Sequence, residues 1–221
     1  MLKWLKGRPQ EKKPEIRDAL FADLPLRQWL PQSLPQTEPW TSFARANQCS
    51  DQNDKPSAIA TLRSILAMPD LESRHYLEAW HSLRNLGASV PADSAKEVLG
   101  LVVEVGMDRG LDLLAAYPDH HARYYNFSGA GVVWEKPNSS LDKSIDDLLR
   151  AASDGVKVIG LWDKDRPAAP PKGQARINIL TPSGLHFGEG PYETLSKDRI
   201  GAPILGLAFQ LMQQMIKLSE K

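Results

Sequence analysis

The run from Val98 to Lys136 constrains this chain most, because four short apolar segments there are cut by Gly, Asp and Pro. "VLGLVVEVG" has the β-branched density of a buried strand and ends at Gly106; "LDLLAAYP", "ARYYNFS" and "GAGVVWEK" follow, separated by "DHH" and by Ser128-Gly129. Strand-length segments broken by turn residues predict neighbours that pair as an antiparallel meander.

The rest of the C-terminal half supplies what such a sheet needs to bury. "SLDKSIDDLLRAASDG" reads as a helix, with Ser139 or Ser140 as N-cap, Asp142 at its positive end, and Leu141, Ile145, Leu148, Leu149 and Ala152 on one stripe. After the proline-rich loop "WDKDRPAAPPKGQ" come two more strands, "ARINILT" and "GLHFGEG", joined by Pro182-Ser183-Gly184. The closing "APILGLAFQLMQQMIKLSEK" has only a narrow polar line, Gln210, Gln213, Gln214 and Lys217, so it is expected to be nearly surrounded.

Before residue 91 the period is helical. Trp40, Phe43 and Ala44 share a face. Ile59, Leu62, Ile65 and Leu66 form a second stripe that ends at Pro69. Tyr76, Leu77, Trp80, Leu83 and Leu86 form a third that ends at Gly87. These segments predict three antiparallel helices. Residues 1–38 differ again, with Pro9, Pro14, Pro25, Pro31 and Pro35 limiting regular structure. Yet "ALFADLPLRQWL" carries Leu20, Phe21, Leu24, Leu26, Trp29 and Leu30, too much apolar surface for a solvated linker, and should lie across the body.

The expected organisation is therefore a proline-rich arm at 1–38, partly disordered, a helical segment at 39–90, and an α+β body at 91–221. In fold class this is α+β, with N-terminal helical hairpins packed on a mainly antiparallel sheet and two covering helices.

The helical segment resembles a tetratricopeptide hairpin. Trp40, Phe43 and Ala44 match the opening of that pattern, Ala58 and Leu62 its middle and Pro69 its end. Asn47 stands where the pattern has tyrosine, and Pro91 breaks a second repeat. Such repeats bury their faces on stacked neighbours, so this one requires the C-terminal body as its neighbour. The stretch from "ARYYNFSGAGVVWE" to "LTPSGLHFGEGP" resembles proteins of an uncharacterised bacterial family, and the resemblance implies a bacterial cytosolic protein without assigning a reaction.

Charge and cysteine content narrow the function classes. Lys and Arg number 27 against 27 Asp and Glu, which provides no overall field for nucleic acid or an anionic membrane. Local exceptions remain. Residues 1–17 carry Lys3, Lys6, Arg8, Lys12, Lys13 and Arg17 around Leu2, Trp4 and Leu5, a composition suited to weak peripheral membrane contact. No apolar span or secretory core is visible, and Cys49 is the lone cysteine, so a cytoplasmic location is expected and neither a disulfide nor a zinc spacing arises.

Chemistry is sparse. His120-His121 sits in a predicted turn where adjacent side chains diverge, which favours a solvated turn over a metal site, and no metal or cofactor is expected. Glycine-rich phosphate fingerprints are absent. A polar pocket on the sheet edge could combine Arg123, Asn126, His186 and Glu189, with His186 as acid-base group and Glu189 orienting it, the arrangement of a small hydrolase or transferase. The competing expectation is a cytosolic adaptor without catalytic activity that binds another protein or a second copy of itself through the last helix. Trp29, Trp134 and Trp162 are its candidate binding surface.

Overall fold

The computed structural model describes residues 16–220, and its fold is α+β. Seven antiparallel strands form one sheet: β1 (Gly100–Met107), β2 (Gly110–Ala116), β3 (Ala122–Tyr125), β4 (Gly131–Trp134), β5 (Leu161–Trp162), β6 (Gln174–Thr181) and β7 (Gly184–Pro191). Their order is β4-β3-β2-β1-β6-β7-β5, so the predicted meander is one half of the sheet and the β6–β7 hairpin extends it from β1. The two-residue β5 ends on Trp162, the first residue of the stretch expected to be loop; Leu161 and Trp162 pair with His186 and Leu185.

Alternation along the strands divides the core in two. One face turns Leu101, Val103, Leu114, Ala116, Tyr124, Ile177 and Ile179 toward α6 (Asp142–Gly155) and α8 (Gly201–Ser219), whose Ile145, Leu148, Ile204 and Leu211 are fully buried against it. The opposite face presents Val102, Leu113, Ala115, Tyr117 and Leu180 to Leu20, Phe21 and Leu77 of the N-terminal part. The expected two covering helices thus share one face, and the N-terminal helices cover the other. Short α7 (Tyr192–Leu195) links β7 toward α8.

In the arm, α1 (Ile16–Phe21) buries Leu20 and Phe21, and α2 (Leu26–Trp29) sets Trp29 on Trp40 and His75 with ring centroids at 6.2 and 6.3 Å. The helical segment comprises α3 (Trp40–Asp51), α4 (Lys55–Leu66) and α5 (Ser73–Asn85), closed around Phe43, Ala46, Leu62, Ile65, Ala79 and Leu83. Asp54 caps α4 by accepting the Ser57 N–H at 3.2 Å. Partial disorder of the arm and the basic membrane-contact stretch were expectations about residues that, through position 15, lie outside the described ones.

Two expectations change here. α8 is buried on one stripe only, through Ile204, Leu205, Ala208, Leu211 and Met215, while Phe209 stays half exposed; no layer lies outside it among the described residues. The "DHH" turn is not a freely solvated loop. His120 takes the left-handed conformation (φ 64°), which separates it from His121. Its ring reaches α6 with Nε2 3.0 Å from Asp146 Oδ1, while His121 lies 3.6 Å from Asp119 beside α5.

Candidate functional site

Where the arm, α5 and the sheet meet, a cavity of about 670 Å³ opens. Leu180 and Leu185 come to it from β6 and β7, because alternation turns them to the face opposite α6 and α8. Phe21 and Leu77 enter from α1 and α5, and Trp162 from β5. Trp162 packs edge-on to Phe187, 5.1 Å between centroids, and its Nε1 donates to the Asp165 carbonyl at 2.9 Å. Lys164 stands 5.3 Å from the Trp162 ring centroid.

Much of the buried charge beside this cavity is matched, while Asp163, Lys164 and Asp165 on its lining are exposed. Fully buried Glu104 on β1 accepts from Arg17 Nε at 2.5 Å and from Arg176 Nη1 at 3.4 Å. Arg176 also donates to Glu189 at 2.6 Å and to the Ala168 carbonyl at 2.8 Å. Arg166, lying 4.2 Å over the Phe21 ring, holds Asp18 at 2.6 Å and Asp23 at 2.7 Å. Burial works against the Arg166 charge, but Asp23 and Asp18 outweigh it and its guanidinium is held above its ordinary range. Together these pairs fasten the proline-rich loop and the arm to the sheet.

Arg84 on α5 differs. It donates from Nη1 to the Pro182 carbonyl at 2.6 Å and meets no carboxylate within 4.0 Å among the described residues. Burial lowers its pKa from the ordinary guanidinium value. Close by, Asn85 and His81 hydrogen-bond to each other at 2.9 Å on the cavity rim.

His186 lies on the far face of β7, opposite Ile179, and is 1% exposed. Its Nδ1 donates to the Ile159 carbonyl at 3.0 Å, which leaves Nε2 to accept the Ser183 hydroxyl at 3.2 Å. Burial lowers its pKa, so the pair is an uncharged tie that holds the hairpin turn to the strand approach after α6.

No family model matches the chain, and no curated protein or solved structure matches it either.

The four residues of the predicted pocket edge do not converge. Arg123 on β3 pairs with Glu135 at 3.0 Å, and Asn126 closes its own turn by accepting from the Ser128 N–H at 2.9 Å. Both lie beyond β2, β1 and β6 from His186 and Glu189. Within β7, His186 and Glu189 are three residues apart and therefore face opposite ways, and Glu189 is held by Arg176 rather than by His186.

The three tryptophans also separate. Trp134 is buried under α6 and α8, and Trp29 packs between the arm and the helical core with its Nε1 enclosed. Neither forms an open surface. Trp162 alone of the three lines the cavity.

A second hollow, of about 230 Å³, lies between α8 and the sheet end, with Val105, Leu205 and Met212 in its wall. Met107, Tyr192 and Phe209 surround it at 37%, 39% and 50% exposure. Its one acid, Asp112, already accepts from the Phe127 N–H at 2.9 Å and the Tyr124 hydroxyl at 3.3 Å. Sequence reasoning missed this convergence because the three side chains come from a strand end, a four-residue helix and α8. The wide apolar surface of α8 was its only advance signal.

Proposed function

We propose that the protein acts by binding another protein in the cytoplasm, and that the groove beside α8 receives an apolar, uncharged segment of that partner. One observation carries the reading: Met107, Tyr192 and Phe209, three large and substantially exposed hydrophobic residues, gather around one hollow. Contiguous exposed apolar surface of this kind marks interaction sites. The groove favours an apolar segment, since its walls are mainly apolar and the neighbouring exposed residues of α8, Gln210 and Gln213, are neutral. The tetratricopeptide-like reading of residues 39–90 gives that segment a supporting part, its apolar surface turned toward its own body.

Site-specific photo-crosslinking tests the reading. A benzophenone side chain at Phe209 is expected to capture a distinct protein, whereas the same group at Val158, exposed on the loop after α6, captures none. A crosslinked second copy of this chain would identify a homodimer in place of a separate partner. Equal, indiscriminate capture at both positions would overturn the proposal. No helix among the described residues is long and apolar enough to cross a membrane.

A further inference from the structure

From the charge accounting of the large cavity, we propose that it is a binding site for a small carboxylate with an apolar or aromatic body, and that Arg84 is the residue that receives the carboxylate. This site is separate from the groove beside α8 and independent of the protein-binding reading.

The argument starts from the cations that border the cavity. Arg17 is matched by Glu104, and Arg166 by Asp18 and Asp23, while Lys164 is exposed to solvent and stands over the Trp162 ring. Arg84 is partly buried beside them, and among the described residues its one hydrogen bond uses Nη1 and a neutral carbonyl. Its nearest acids do not supply the missing charge. Asp23 is already bound by Arg166, and Glu78 is fully buried with its Oε1 accepting from Ser82 at 3.0 Å. Burial raises the Glu78 carboxyl well above the usual range, which favours its neutral form. A guanidinium taken from water without a counter-charge is costly, and a planar carboxylate fits its fork with two parallel hydrogen bonds.

The remaining walls define the body of the ligand. Leu77, Leu180 and Leu185 form an apolar side and Trp162 an aromatic one, with Asn85 and His81 at the rim to orient a polar substituent. A volume of about 670 Å³ suits a small molecule.

Calorimetric titration of the full chain with benzoate, phenylacetate and 3-phenylpropionate tests this, with phenylacetamide as a neutral counterpart of matching shape. At least one carboxylate is expected to bind saturably, about tenfold or more tighter than the amide, and to lose that advantage in Arg84→Gln. Because Arg84 also ties α5 to the hairpin, Leu185→Trp provides a second variant that fills the cavity and keeps the arginine. It too should abolish binding, with a circular dichroism spectrum like that of wild type. Absence of binding by all three carboxylates, equal binding of the amide, or unchanged binding in the cavity-filled variant would overturn the assignment.

Discussion

Asp119 caps α5 from outside the helix: its Oδ2 accepts the Ser73 N–H at 2.6 Å, and the Asp119 N–H is returned to Ser73 Oγ at 3.2 Å. Glu72, which precedes the helix, makes no side-chain cap of its own, so the turn after β2 does this work across 46 residues of sequence. The next residue, His120, reaches Asp142 and Asp146 of α6. One turn thereby ties the helical layers on both faces to the sheet.

Replacing Asp119 by alanine removes an acceptor from a helix N-terminus and a tie between layers. Urea unfolding of Asp119→Ala should show a loss of about 1 to 2 kcal/mol, with Asp119→Asn recovering most of it. An unchanged midpoint in the alanine variant would show that water replaces the cap without cost.

Glu104 sits at the centre of the buried network, with Arg17 and Arg176 both donating to it and Asn178 Nδ2 at 3.1 Å. Glu104→Gln would leave Arg17 without its carboxylate and Arg176 with Glu189 alone, and a loss of about 3 to 5 kcal/mol is expected. Because Arg17 belongs to the arm, limited proteolysis of this variant should cut near residues 16–24 first. A wild-type digestion pattern would contradict that role.

Glu78 gives the stability a definite pH dependence. Its folded-state pKa is raised well above the ordinary glutamate value, first by burial and further by Asp23, with Ser82 and Arg84 opposing. The protonated form is therefore the one the fold favours. Its contribution is complete below the unfolded pKa and is progressively lost as pH rises toward the folded one. Glu78→Gln should raise the melting temperature at pH 7 relative to wild type, and the difference should shrink toward pH 4. A gain that is the same at both pH values would exclude this origin.

Much of the sheet was legible because β-branched runs between turn residues define strands locally, and the stripe Ile145, Leu148, Leu149, Ala152 defines α6 by itself. The arm was legible for a related reason, since Leu20 and Phe21 were too apolar for a linker, and they prove to be part of the core. What could not be read was sheet order. Arg176 meets Glu104 because β6 pairs with β1, not with the meander's outer strand, and nothing in either segment specifies that choice. The approach of the proline-rich loop was equally hidden, although Gly106 bears its mark: a Cβ there would run into the Pro171 carbonyl. Both site hypotheses suffered from this. Arg84 is unremarkable on a helix until Pro182 arrives beside it, and Met107, Tyr192 and Phe209 become a surface only after α8 has packed.

The most direct test of the central claim is to recover the protein with its bound partner and compare wild type with Phe209→Asp, which puts a charge on the groove rim without touching the core. Partner recovery should fall about tenfold or more in the variant while its melting temperature stays within a few degrees of wild type. A partner recovered equally by both forms would contradict binding through the groove.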